Sequence, residues 1–211
     1  DSLFSKKRMT LLRDPLNDNN PITVQVLGIC SALAITVQLK PAIVMAISVM
    51  VVLSVANVLI SFMRKLIPSR IRIIVQLVVI AALVILVDEV LKAFVYDVSK
   101  ELSVFVGLII TNCIIMGRLE AFGMANGPWE SFLDGIGNSF GYAWILIVVA
   151  FFRELLGSGT LYGYPVLEKI GLYETGYENN GMMILPPMAL ITVGIIIWIQ
   201  RMKNEKLIES K

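Results

Sequence analysis

Long apolar runs without a single charge constrain this sequence more than any other feature. Residues 42–63 and 73–87 contain no Asp, Glu, Lys or Arg, and a short basic stretch separates them. A helix needs about 20 mainly apolar residues to cross a bilayer, and isolated strands cannot satisfy their backbone hydrogen bonds there. The composition agrees, because 57% of the residues are hydrophobic and only 16% are charged. The sequence therefore predicts an all-α, polytopic membrane protein.

Six transmembrane helices are predicted, within a single membrane domain that covers residues 1–211. The segments run over about Ile22–Val37, Pro41–Met63, Ile71–Leu91, Leu102–Gly117, Ile136–Leu156 and Met182–Gln200. If the amino terminus lies in the cytoplasm, most Lys and Arg residues fall on the cytoplasmic side of the membrane. Such a bias is typical of cytoplasmic loops, so the sequence predicts a multi-pass protein with both termini cytoplasmic. Because the basic residues lie beside apolar segments, membrane orientation explains the net charge of +2, and no nucleic-acid partner is predicted.

The first and fourth segments differ from the others in length and polarity. Each is shorter than a full crossing, the first contains Gln25, and the fourth contains Thr111 and Asn112. Each also holds one of the two cysteines. The order is therefore short, long, long, twice over, with halves at about 1–100 and 101–211. Because each half has an odd number of segments, this order predicts an inverted 3+3 repeat with two short half-helices that carry Cys.

The cysteines are the candidate metal ligands. The chain has no histidine, which excludes zinc or haem sites with imidazole ligands and hydrolases of the usual kind. Cys30 and Cys113 are either small packing residues or ligands of an iron–sulfur or zinc centre. Two thiolates make only half of a typical four-cysteine set, so a second chain would have to supply the remainder.

Several other polar residues fall within the apolar segments: Asn57, Gln76, Arg153 and Glu154. Arg153 and Glu154 lie near the end of their segment, where a long side chain reaches the membrane surface at low cost. Asp88 and Glu89 are predicted at the interface for the same reason. We interpret residues 157–159, Gly-Ser-Gly, as a helix stop.

The motifs around the cysteines resemble a known family. They are Asp18-Asn19-Asn20-Pro21 leading to residues 25–34, residues 102–113 ending in Thr111-Asn112-Cys113, Gly117-Arg118 with residues 120–122, and residues 151–155 with 157–159. Together they resemble the D subunits of the Na⁺-translocating NADH:quinone oxidoreductases over nearly the whole chain. The alternative is the E subunit of the Rnf-type ferredoxin:NAD oxidoreductases, which shares the Thr-Asn-Cys pattern.

The resemblance implies an electron-transfer subunit of a translocase in the bacterial inner membrane, which is not catalytic on its own. It implies that Cys30 and Cys113 bind a [2Fe-2S] cluster shared with a homologous E subunit, which supplies two further cysteines. Flavins, NADH and ubiquinone would be handled by other subunits of the complex, and sodium transport would be coupled to electron transfer. Two hypotheses of other classes remain open, a small transporter or channel subunit and a membrane scaffold whose cysteines only pack.

Overall fold

The computed structural model describes residues 6–16, 19–94, 107–166 and 180–203. Its α-helices are α1 (Lys6–Arg13), α2 (Ile29–Ile35), α3 (Leu39–Met63), α4 (Arg72–Phe94), α5 (Cys113–Arg118), α6 (Pro128–Gly157) and α7 (Pro186–Lys203). Shorter elements are 3₁₀ turns at Asp14–Leu16 and Gly181–Ile184, a π-helical turn at Leu119–Gly123, and a hairpin of β1 (Thr160–Leu161) and β2 (Tyr164–Pro165). The described part of the chain is thus mostly helical, with one small antiparallel hairpin.

Helices α3 and α6 form the centre of the protein. A Cβ atom added to Gly135 would lie 2.9 Å from the Cα atom of Ser54, so the two backbones are in close contact there. The side chain of Asn57 donates to the carbonyl of Ser131 across the same interface at 3.1 Å. In lipid no hydrophobic force drives helices together. Helices therefore associate there through close packing at small residues and through hydrogen bonds between polar side chains.

Three of the described helices are long and apolar enough to cross a membrane, namely α3, α4 and α6. Helix α4 buries one face, formed by Gln76, Ile80 and Val84, and exposes many of its other apolar side chains. An apolar face of that size would not be stable in water, and it suits lipid or a neighbouring membrane helix.

The predicted helices over Pro41–Met63 and Ile71–Leu91 are confirmed by α3 and α4. The predicted fifth helix is also confirmed, but α6 begins at Pro128, eight positions before the predicted Ile136. Proline at the first helical position favours this start, and the apolar periodicity that set the prediction begins only later. The predicted sixth helix is divided into a 3₁₀ turn and α7, because two prolines start a new helix at Pro186.

The prediction of a continuous first helix over Ile22–Val37 is wrong, because only Ile29–Ile35 is helical. Residues 21–25 form turns instead, stabilised by Asn20, whose Oδ1 atom accepts from the backbone N–H groups of Ile22 and Thr23 at 3.0 and 3.2 Å. The fourth segment is also interrupted, since residues 107–110 are helical and a new helix starts at Cys113. Residues 102–106 of that predicted segment lie outside the described residues.

The amino-terminal stretch forms α1 and packs on α6. Cβ atoms added to Gly137 and Gly141 would collide with the carbonyl oxygens of Leu11 and Pro15, respectively. The side chain of Asn20 also donates to the carbonyl of Gly141 at 3.0 Å. Two glycines four positions apart thus form a flat strip on α6 on which the amino-terminal backbone lies directly.

Candidate metal centre

Cys30 is the second residue of α2, and a tightly folded turn precedes it. Val26 and Gly28 both have left-handed backbone conformations, with φ of 59° and 81°. Glycine adopts this conformation freely, whereas for a β-branched residue such as valine it is strained. The side chain of Gln25 donates back to the carbonyl of Asn19 at 3.0 Å and closes the turn. The turn ends at Gly28, which leads directly into the helix that carries Cys30.

Cys113 is the first residue of α5, and it follows a break in the helix. The side-chain oxygen of Asn112 accepts from the N–H of Ile114 at 3.3 Å, which is the usual contact of a helix N-cap. Asparagine competes in this way with the continuous helical hydrogen-bond pattern. The chain therefore stops being helical at residues 111 and 112 and begins a new helix at the cysteine.

The residues next to the two cysteines bind each other. The Nδ2 atom of Asn112 donates to Oγ of Ser31 at 3.3 Å, and the same Oγ lies 2.7 Å from the hydroxyl of Tyr142 on α6. Ser31 follows Cys30 and Asn112 precedes Cys113, so the two cysteines lie on adjoining backbone segments. The three bonded side chains are buried, whereas both cysteines are free thiols exposed on the surface of the chain.

A second set of contacts ties α5 to α6. Arg118, the last residue of α5, forms an ion pair with the buried Asp134, and its Nε atom donates to Oδ2 at 3.0 Å. The guanidinium also lies over the ring of Phe122, 5.5 Å from its centroid. Asn138 donates to the same carboxylate at 3.0 Å. Helix α5 is thus held at its start by Asn112 and at its end by Arg118.

The prediction that Arg153 and Glu154 reach the membrane surface is wrong, because both are at least 97% buried. They do not bind each other. Glu154 caps the start of α3 by accepting from the N–H of Leu39 at 2.6 Å. Arg153 donates to oxygens at the end of α2 and in the 3₁₀ turn: Leu33, Thr36, Met183, Ile184 and Leu185. Arg153 therefore binds the end of the helix that carries Cys30, and Glu154 binds the start of the next helix.

The remaining polar residues singled out in the sequence also have structural partners. Gln76 donates to Glu120 at 3.0 Å, and Glu120 pairs with Arg72. Asp88 and Glu89 both pair with Lys92 near the end of α4, and their interfacial position stays a prediction. Helix α6 ends at Gly157, and Gly159 has φ of 69°, so the predicted helix stop is confirmed.

The donor chemistry of the site fits half of a metal centre. Within the part of the chain that the structure describes, no group of three or more His, Cys, Asp and Glu residues could hold a metal ion. Two exposed thiols on adjoining helix starts can supply two ligands and leave room for a second chain to supply the others. This arrangement fits an iron–sulfur centre at a subunit interface better than a closed site within one subunit.

Sequence reasoning found the two thiols and missed what orders them. Tyr142 lies within an apolar helix and its hydroxyl gives no local signal in the sequence. The break before Cys113 could have been predicted from the Thr-Asn pair. Both side chains favour helix starts, because they compete for the backbone hydrogen bonds that a continuous helix needs.

The fold and the site define a mostly helical membrane protein with two exposed thiols on adjoining backbone segments. The family model for Rnf-Nqr subunits, described as membrane proteins, matches residues 8–197. The chain therefore belongs to the Rnf-Nqr family of membrane subunits.

Its similar relatives are more specific. The chain is 53% identical over 208 residues, 98% of each protein, to the D subunit of the Na⁺-translocating NADH-quinone reductase of Photobacterium profundum. It is 55% identical over 201 residues to the D subunit of the same enzyme of Haemophilus ducreyi, covering 95% of this chain and 96% of that one. The corresponding D subunit of a Shewanella species is 51% identical over 98% of each chain. The resemblance to D subunits seen in the cysteine motifs is thereby confirmed.

Proposed function

We propose that this chain is the electron-transferring D subunit of a Na⁺-translocating NADH:quinone oxidoreductase, and that Cys30 and Cys113 hold one half of an iron–sulfur centre within the membrane. The observation that carries the proposal is the pair of exposed thiols on helix starts that are joined by the bond between Ser31 and Asn112. The names of the relatives support the complex, and the homologous E subunit would complete the ligand set.

The residues of this chain would hold, orient and shield the centre. Cys30 and Cys113 would bind iron as thiolates, and the apolar residues of α2 and α5 would keep water away. Limited exposure to solvent and few nearby charges are among the factors that set the potential of such a site. When bound, an iron–sulfur centre accepts and passes on single electrons, so this subunit would connect redox groups carried by other subunits.

The order of helices supports the proposed inverted repeat. A short helix that begins near a cysteine, α2, precedes the longer α3 and α4, and a second such helix, α5, precedes α6 and α7. In a six-span protein with both termini in the cytoplasm, the two short helices would enter from opposite faces and bring both thiols near the midplane.

Changing either cysteine tests the proposal. We expect the Cys30→Ser and Cys113→Ser complexes to assemble, to lose the iron of this one centre and to lose NADH-driven quinone reduction, because serine is a poor ligand for iron in a cluster. The measurements are iron per complex, the electron paramagnetic resonance spectrum and the turnover rate.

Thr111→Ser is the matched control, because Thr111 is exposed beside the site and keeps its hydroxyl in the variant. Full iron content and turnover in both cysteine variants would refute the relay and leave a transporter or scaffold subunit. Reduction of NAD by ferredoxin, in place of quinone reduction by NADH, would instead identify an Rnf-type complex.

A further inference from the structure

We infer that Tyr142 is a positioning residue of the cysteine site, and that its hydroxyl, through Ser31, sets the relative placement of Cys30 and Cys113. The predicted effect on electron transfer rests on the proposed function. The predicted placement of the two thiols rests only on the hydrogen bonds.

The direction of each hydrogen bond follows from what the Ser31 hydroxyl can do. A serine hydroxyl donates one hydrogen bond and accepts two. Ser31 donates to the carbonyl of Gly28 at 2.8 Å. Its oxygen must therefore accept from both Asn112 and Tyr142, and Tyr142 is the donor in the 2.7 Å contact. The Ser31 hydroxyl is thus fully used and holds a fixed orientation.

The network joins both helix starts to one rigid element. Ser31 belongs to α2, Asn112 caps α5, and Tyr142 lies about midway along the 30-residue helix α6. Tyr142 and Ser31 are at most 1% exposed and Asn112 is 4% exposed. Water does not compete for buried hydrogen bonds of this kind, so breaking one of them leaves an unsatisfied polar group.

The ring of Tyr142 also packs against the turn that precedes Cys30. A Cβ atom on Gly28 would lie 3.0 Å from Cε2 of Tyr142 and 3.4 Å from Oδ1 of Asn112. The tyrosine therefore contacts Gly28 through its ring edge and Ser31 through its hydroxyl. These two residues flank Ile29 and Cys30, so Tyr142 determines where the cysteine-bearing turn lies against α6.

The test compares Tyr142→Phe and Ser31→Ala with Tyr164→Phe in the assembled complex. Tyr164 lies in the hairpin and is 68% exposed, so it provides the same chemical change away from the site. After removal of iron, Cys30 and Cys113 are cross-linked with bis-maleimides of two spacer lengths, and linked peptides are quantified by mass spectrometry. This measurement depends on the thiols and not on the bound metal or on turnover.

We expect the yield of the linked pair to change by about fivefold in Tyr142→Phe, the change in population that corresponds to one net hydrogen bond. Ser31→Ala should change it at least as much, because it removes the bonds from both Asn112 and Tyr142. In the iron-loaded complex, both variants should retain iron and show a shifted resonance spectrum and potential. Tyr164→Phe should match the unmodified complex in every measurement.

Unchanged cross-linking, spectrum and potential in both site variants would overturn the inference. If Tyr142→Phe does not assemble, Ser31→Ala alone decides, since it breaks the same bond from the side of α2 and leaves the ring of Tyr142 in place. The proposed function has its own test, because full iron content in the Cys30→Ser complex would refute it. The cross-linking result would remain valid in that case.

Discussion

Replacement of Arg153 by methionine is expected to destabilise the complex strongly and to release the helix that carries Cys30. Arg153 is 1% exposed and donates to oxygens of α2 and of the 3₁₀ turn at residues 181–184. The bond to Thr36 is buried and the bonds to the carbonyls are partly buried. A buried acceptor left without a donor costs about 1–3 kcal/mol, and a partly buried one costs less. Since several carbonyls lose their donor together, we expect a loss on the order of 3 kcal/mol or more.

The measurement is the fraction of intact complex that remains after heating, together with the rate at which Cys30 reacts with a maleimide after iron removal. Arg201→Met is the matched control, because Arg201 is exposed near the end of α7. Arg153→Lys should give an intermediate result, since an ammonium has three donors in place of the five of a guanidinium. Equal stability of the Arg153→Met and Arg201→Met complexes would contradict this role for Arg153.

Replacement of Gly141 by alanine is expected to detach the amino-terminal segment from α6. The new Cβ atom would collide with the carbonyl oxygen of Pro15, which is backbone and cannot rotate away. Overpacking of this kind costs about 1–3 kcal/mol. The hydrogen bond from Asn20 to the Gly141 carbonyl would be lost when the segment shifts. Limited digestion with trypsin, which cleaves after the basic residues of α1, measures the detachment.

Gly194→Ala on α7 is the matched control, because nothing lies within 4 Å of a Cβ atom added there. Alanine at an open helical position should stabilise the helix by about 0.5–1 kcal/mol. We therefore expect faster cleavage of α1 in Gly141→Ala and unchanged cleavage in Gly194→Ala. The same cleavage rate in both variants would show that the amino-terminal segment does not depend on the glycine strip.

The helices set by apolar runs could be predicted because their signal is local. Residues 42–63 are uncharged over a full membrane crossing, and α3 covers them from Leu39 to Met63. The first segment misled the prediction for a physical reason. Residues 22–27 are nearly as apolar as a helix requires, but Asn20 caps the turn and Val26 and Gly28 adopt left-handed conformations. Gly28 also lies against Tyr142, a residue that is distant in the sequence.

The two cysteines could be identified from the sequence because they are the only thiols in a chain that has no histidine. Their surroundings could not, since they depend on contacts between residues far apart in the chain. The bond between Ser31 and Tyr142 joins positions separated by 111 residues. Arg153 and Glu154 were misplaced for the same reason, because the helix ends that they cap belong to α2 and α3. Only the fold shows that these charged groups have buried partners.

The reactivity of the two thiols with and without iron tests the proposed metal centre most directly. The intact complex is treated with a small membrane-permeant maleimide before and after reduction and chelation of iron, and modification of Cys30 and Cys113 is quantified by mass spectrometry. Thiolates bound to a metal are protected, whereas both thiols are exposed on the isolated chain. We predict that both cysteines are unreactive in the loaded complex and that both react after iron removal. Equal reactivity before and after removal would contradict the claim that Cys30 and Cys113 hold the metal.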